Sequence, residues 1–179
     1  MSNDSTLHSL DWLAAEAGGL IQEHPGLVLV WSLEEPGRLG EAVLVDRPLV
    51  LGREKVGPDR AIFHRMRPGR STPTGPLRAR TISRDQLTIA PERGALTVHN
   101  IGRGALLHNG RECATARAQP GDLIEIARKA IFLVVSRTER LPEAPSAAWS
   151  GDFGMPDDDS IVGESPACWA LRESLAFAG

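Results

Sequence analysis

Tyrosine is missing from this 179-residue sequence, and four Trp with four Phe bring the aromatic share to only 4%. A surface that stacks single-stranded bases needs rings interleaved with basic residues, and these rings form no such stripe. Cysteine is scarce as well. Cys113 and Cys168 stand far apart, without CxxC or Cys/His spacing, so neither a disulfide framework nor a metal site is indicated. No run of eighteen apolar residues occurs. The start, Met1 to Ser9, lacks the basic residues and apolar stretch of a secretory signal, so a cytoplasmic protein with no membrane contact is expected. His8, His24, His64, His99 and His108 fall into no HExxH or paired spacing, and no serine sits in a GxSxG elbow. A GxxxxGK[ST] phosphate loop is absent too. The sequence therefore offers no catalytic residue, no metal ligand and no cofactor of its own.

What is present suffices for one core. A hydrophobic content of 41% and a charged content of 24% fit one domain of roughly 100 to 130 residues with appendages. The net charge of -3 conceals an asymmetry. Between Arg47 and Arg84 there are ten Lys or Arg against Glu54 and Asp59, a local +8. Clustered guanidinium groups raise the potential and match phosphate oxygens with two donors each, which favours an anionic partner; on charge alone a merely solvated loop is an equal reading.

Composition divides the chain into four stretches. Residues 1–24 form an N-terminal extension in which Leu7, Leu10, Leu13 and Ala14 recur at helical spacing behind Ser5, predicting a short helix over Ser5 to Ala17. Residues 25–138 carry short β-type runs: Leu27 to Trp31, Ala42 to Val45, Leu49 to Leu51, Leu87 to Ile89, Leu96 to Val98, Ala105 to Leu107, Leu123 to Ile126 and Ala130 to Val135. Gly, Pro and Asn separate them at intervals of about ten residues, the pattern of an all-β antiparallel sandwich. Residues 139–160, with Pro142, Pro145, Pro156 and Asp157-Asp158-Asp159, read as a flexible acidic linker. Residues 161–179 open a helix capped by Ser165, with Pro166 at its first position and Trp169, Leu171, Leu175 and Phe177 along it.

Four short motifs sit at the ends of the β runs. Gly52-Arg53 follows Leu49 to Leu51; Ser83-Arg84 precedes Leu87 to Ile89; Asn109-Gly110 is a hairpin signal; Gly121-Asp122 leads into Leu123 to Ile126. In this order and context, over about residues 27 to 137, the chain resembles the forkhead-associated (FHA) family. The resemblance implies an eleven-stranded β-sandwich whose loops at one end hold a phosphothreonine peptide. It assigns phosphate contact to Arg53 and Ser83, with Arg84 as a third contact. Gly52, Gln86, Asn100, Asn109 and Gly110 would support the site. Two guanidinium forks and a hydroxyl on loops of a rigid scaffold are also what binding a phosphate dianion requires physically. Local ion pairing, such as Arg84 with Asp85, is the competing reading.

The sequence departs from the family pattern in four places, the smallest being Ala127 where the family's GDxIxIG ends in glycine. Gln86 stands where the family has the histidine that braces the serine loop, and glutamine both donates and accepts. The segment Asn100-Ile101-Gly102-Arg103-Gly104 lacks the family's peptide-holding asparagine in its usual place, leaving Arg103 as a candidate substitute. Between the GR and SR motifs, Arg65 to Pro76 is basic and rich in turn residues, which predicts an ordered-on-binding or mobile loop beside the phosphate site; Thr72 and Thr74 in it are candidate kinase targets.

A second resemblance covers the last nineteen residues. Ile161 to Ala167, followed by Trp169-Ala170-Leu171-Arg172, resembles the entry into the AAA+ domain of sigma-54-dependent enhancer-binding proteins. It implies that the chain stops at the start of an ATPase that would use ATP and Mg. The expected partners are a phosphothreonine protein, an upstream Ser/Thr kinase and, through further domains, sigma-54 RNA polymerase holoenzyme and DNA. The alternatives are a phosphate-independent interaction or docking domain, and a nucleic-acid-binding module using the basic block. Asp157 to Asp159 could also fill the phosphate pocket as an internal mimic.

Overall fold

The computed structural model describes residues 22–143, 151–158 and 160–178. The helix predicted over Ser5 to Ala17 lies outside them. Twelve strands form among the described residues: β1 Glu23–Ser32, β2 Ala42–Leu44, β3 Leu49–Leu51, β4 Phe63–Arg67, β5 Arg70–Gly75, β6 Leu87–Glu92, β7 Ala95–Asn100, β8 Leu106–His108, β9 Arg111–Cys113, β10 Thr115–Ala118, β11 Leu123–Ile126 and β12 Ala130–Thr138. One helix, α1 Pro166–Ala178, follows. The expected antiparallel β-sandwich is the fold observed. An eight-stranded sheet, ordered β5-β4-β2-β1-β12-β11-β8-β9, faces a four-stranded sheet, β10-β7-β6-β3.

The core follows from alternation along the strands. Leu27 and Leu29 of β1, Phe63 of β4, Ile124 and Ile126 of β11 and Phe132 of β12 point inward from the large sheet. Leu51, Leu87, Ile89, Leu96 and Val98 meet them from the small one. Phe63 and Phe132 stack with ring centroids 6.1 Å apart, and burying each ring is worth about 1.5 to 3 kcal/mol. The long pairing of β1 with β12, from Glu23↔Thr138 to Ser32↔Ala130, fixes the large sheet; its register shifts between Leu29 and Trp31.

The segment expected to be a mobile loop is instead the hairpin β4–β5. Arg65 pairs with Thr72, Met66 with Ser71 and Arg67 with Arg70, and Gly69 turns the chain at a φ of 68°. Phe63 anchors the hairpin in the main core, and Met66 packs on Val28 and Ala42 in a second cluster. Two buried side chains on the hairpin supply what a basic composition hid.

Residues read from composition as linker also make specific contacts. Pro68 bridges to Leu141, and the Gly69 amide donates to the Leu141 carbonyl at 3.1 Å. Phe153 lies against the guanidinium groups of Arg65 and Arg67, 4.9 and 5.6 Å from its ring centre. At the start of α1, the Cys168 amide donates to Ser165 Oγ at 3.1 Å, so Ser165 is the N-cap and Pro166 opens the helix as its sequence predicts.

Candidate functional site

Three chain segments meet at one end of the sandwich: the exit of β3, the β5–β6 connection and the β7–β8 connection. Gly52 makes the first meeting possible. A Cβ on it would lie 2.0 Å from the Arg84 carbonyl oxygen, so only glycine lets the two backbones touch. The Arg53 amide then donates to the Ser83 carbonyl at 3.1 Å. On the other side, the Arg103 amide donates to Ser83 Oγ, also at 3.1 Å. Arg53, Ser83 and Arg103 are thus contiguous through Ser83, although they are separated by thirty and twenty positions in the chain.

Gln86 holds this arrangement from beneath. Its side chain is fully buried. Its Nε2 donates to Asn100 Oδ1 and to the Gly104 carbonyl, each at 2.8 Å, and its Oε1 accepts from the amides of Ser83 at 3.4 Å and Gly104 at 3.3 Å. Asn100 completes the brace: its Nδ2 donates to the Gly104 carbonyl at 2.9 Å, and its Oδ1 accepts from the Gly102 amide at 3.3 Å. Gly102 must stay side-chain-free, because a Cβ there would come within 2.6 Å of the Gln86 amide.

The side chains that face outward differ in how committed they are. Arg53 is half-buried. Its Nη1 pairs with Glu54, while its buried Nε has no hydrogen-bond partner among the described residues. An unpaired buried donor of that kind costs about 1 to 3 kcal/mol. Arg84 and Arg103 are exposed, and neither side chain makes a hydrogen bond or ion pair among the described residues. Local pairing of Arg84 with Asp85 does not occur. Asp85 instead binds Lys55 Nζ at 2.7 Å and the Arg60 guanidinium, and these two hydrogen bonds, Lys55 first, hold its carboxyl below the ordinary value.

Asn109 and Gly110 form the predicted hairpin turn between β8 and β9, with φ of 50° and 77°. The Asn109 side chain turns toward the β10–β11 connection. It donates to Asp122 Oδ1 at 2.8 Å and accepts from the Leu123 amide at 2.8 Å, and it makes no hydrogen bond to Arg53 or Ser83. Its hydrogen bond is the first cause that lowers the Asp122 carboxyl to a pKa of about 2, followed by the Gln119 amide and His108.

Sequence reasoning missed the acidic pair on the β1–β2 connection. Glu35 accepts from the amides of Arg78 and Ala79, both at 2.9 Å. Glu34 accepts from the amides of Arg80 at 2.8 Å and Thr81 at 3.0 Å, and the Thr81 hydroxyl, the largest cause, holds its pKa low. Four successive backbone donors leading into Ser83 are thereby fixed. Arg38 pins the segment just before them, donating to the carbonyls of Gly75 at 2.9 Å and Pro76 at 2.8 Å. Two acids followed by a Pro-Gly turn gave no periodic signal that could have revealed this role.

Asp157 is held by Arg172 at 2.6 Å. Among the described residues, no group of three or more His, Cys, Asp or Glu is placed to hold a metal ion. No helix among them is long and apolar enough to cross a membrane. The arrangement is a rim of guanidinium groups and a hydroxyl on a rigid β-sandwich, a donor set suited to one compact anion.

Comparison with known proteins gives structural likeness alone. No protein-family model matches the chain, and no curated protein matches its sequence. Solved structures that resemble it include the FHA domain of the CT664 protein from Chlamydia trachomatis, 13% identical, covering 64% of this chain and 99% of that one, with a TM-score of 0.45. Another is the FHA domain of an Arabidopsis thaliana hypothetical protein, 19% identical, covering 73% and 96%, with a TM-score of 0.44. A third is the FHA domain of FhaA, solved in complex with the intracellular domain of Rv3910, 14% identical, covering 62% and 98%, with a TM-score of 0.43.

Proposed function

We propose that this chain carries an FHA-type domain that binds phosphothreonine peptides through Arg53, Ser83, Arg84 and Arg103, and serves as a signal-input module rather than an enzyme. The observation that carries the reading is Arg53: its backbone amide is bonded to the Ser83 loop, and its half-buried side chain holds a buried Nε without a partner among the described residues. A bound phosphate supplies the acceptor. Ser83 spends an oxygen lone pair on the Arg103 amide and keeps its own proton to donate to the same phosphate. Arg84 and Arg103 add charge from either side. In the FHA reading, Gln86 takes the place of the bracing histidine.

The test is a titration of the full chain with phosphothreonine peptides and their unphosphorylated forms. Arg53→Ala weakens phosphopeptide binding about tenfold to a hundredfold, the loss of one charge-assisted contact of about 1.5 to 3 kcal/mol, while the unfolding midpoint changes little. Equal affinity for both peptide forms overturns the proposal. The wider context is drawn from the string Ile161 to Arg172: a cytoplasmic regulator in which a Ser/Thr kinase signal reaches a sigma-54-dependent ATPase, with ATP, Mg, polymerase and DNA engaged by further domains.

A further inference from the structure

We propose that Thr72 is a phosphorylation site that unlatches residues 151–178 from the sandwich. The inference does not depend on phosphopeptide binding at Arg53 and Ser83, since it concerns the opposite use of phosphate, on the chain itself, at hairpin β4–β5.

The latch is visible as a set of buried polar contacts between segments far apart in sequence. Arg67 of β4 grips Glu164 with two bonds, Nη2 to Oε1 at 2.6 Å and Nε to Oε2 at 3.1 Å, and its Nη1 donates to the Gly151 carbonyl at 2.9 Å. The Glu164 carboxylate is 1% exposed and also accepts from the Gly154 amide at 2.9 Å. Arg67 lies over the rings of Phe153 and Trp169, and Arg65 over Phe153. The rings at this junction are Phe153, half-buried, and Trp169, 5% exposed. The seat depends on guanidinium groups meeting one carboxylate and two rings, so it is sensitive to a competing anion.

Thr72 is placed to supply that anion. It is exposed on β5, the edge strand of the large sheet, and pairs directly across the hairpin with Arg65. Arg67 is its diagonal neighbour and Arg70 lies two positions back on the same strand, both within reach of long side chains. Arg70 is exposed and makes no hydrogen bond or ion pair among the described residues. Of the three hydroxyls on this strand, Ser71 is engaged with His64 Nδ1 at 3.0 Å and Thr74 with Glu41 at 2.7 Å and the Phe63 carbonyl at 2.9 Å. Thr72 alone has its hydroxyl uncommitted among the described residues. An extended edge strand also offers its backbone to a protein kinase in the form a peptide-binding cleft accepts.

In the step itself, the Thr72 oxygen forms a bond to the γ-phosphorus of ATP bound to a Ser/Thr kinase. The bond from that phosphorus to the β-phosphate oxygen breaks, ADP leaves and the hydroxyl proton is lost. The product carries about -1.5 to -2 charges and three acceptor oxygens, against a single charge on Glu164. It competes with Glu41 and Phe153 for Arg65 and draws Arg67 off Glu164. Glu164, unpaired in its buried seat, is then expelled.

The experiment compares three forms of the full chain by hydrogen exchange: unmodified, with phosphothreonine encoded at position 72, and Arg67→Met. Amides of residues 161–176 should exchange at least tenfold faster in both altered forms, with β1 and β12 unchanged. Phosphothreonine chain exchanging at the unmodified rate or slower overturns the proposal. So does Arg67→Met with unchanged exchange, because the latch would then not rest on that pair.

Discussion

Replacing Gln86 by leucine separates the brace beneath the rim from the rim itself. Leucine keeps the volume of a fully buried side chain but removes both polar ends. Two acceptors retain a donor: Asn100 Oδ1 keeps the Gly102 amide at 3.3 Å, and the Gly104 carbonyl keeps Asn100 Nδ2 at 2.9 Å. Two donors do not. The Gly104 amide is buried and stranded, whereas the Ser83 amide is partly open to water. One fully buried orphan donor plus a partly hydrated one costs about 2 to 4 kcal/mol. For a domain of this size the unfolding midpoint then falls by roughly 10 to 20 °C. Because the Ser83 amide and the Gly104 backbone are no longer tied to one side chain, phosphopeptide affinity falls with it. Thermal unfolding followed by circular dichroism, alongside fluorescence anisotropy with a labelled phosphothreonine peptide, measures both. A midpoint within about 2 °C of the parent would refute the reasoning, since a well-hydrated loop would then have replaced the brace.

Three further outcomes are expected. Glu54→Gln frees Arg53 from its exposed ion pair and tightens phosphopeptide binding about twofold to fivefold at low salt, the gain shrinking as salt rises. Gly52→Ala drives a methyl group into the Arg84 carbonyl, costing about 3 kcal/mol in denaturant unfolding and abolishing binding together. Asp122 has a lowered folded-state pKa of about 2, so its stabilising effect is complete above its unfolded value of about 4 and is lost as pH falls through 2; Asp122→Asn flattens that limb of a stability-against-pH curve.

All eight apolar runs in the sequence coincide with strands, because each is short, apolar and bounded by turn residues. The four strands that were not legible lack those properties for identifiable reasons. Strand β5 contains Pro73 and ends at Gly75, both of which signal a turn; as the edge strand it can leave the proline's missing donor on the open side. Strand β4 buries Phe63 and Met66 on opposite faces and places His64 and Arg65 between them, which breaks alternation. Strand β10 buries only Ala116 and Ala118, and β9 is a three-residue return after Asn109-Gly110. At the site, the meeting of Gly52-Arg53 with Ser83 and Gln86 was legible from motif order. The use of Asn100 as a brace was half legible, and Glu34 with Glu35 not at all, because side-chain capping of a distant loop leaves no periodic trace.

The charge count needs the structure before it says anything about partners. Ten basic residues from Arg47 to Arg84 suggested a broad positive surface, but acids outside that window neutralise much of it. Arg47 pairs with Asp46, Arg65 with Glu41 and Arg67 with Glu164; inside or at its edge, Arg53 pairs with Glu54, and Lys55 and Arg60 share Asp85. Arg70, Arg78, Arg80 and Arg84 have no hydrogen-bonded or ion-paired side chain among the described residues. Arg70 sits on the β4–β5 hairpin, and Arg78, Arg80 and Arg84 on the β5–β6 connection, so the uncommitted cations are few and fall in two places. A phosphodiester backbone gains affinity by neutralising many phosphates in a row, and a handful of separated cations supports little of that at physiological salt. A single phosphate dianion needs only two or three donors at one point. Arg53, Ser83, Arg84 and Arg103 offer more than that number, and the acids that consume the rest of the block confine the positive potential to the places where it remains.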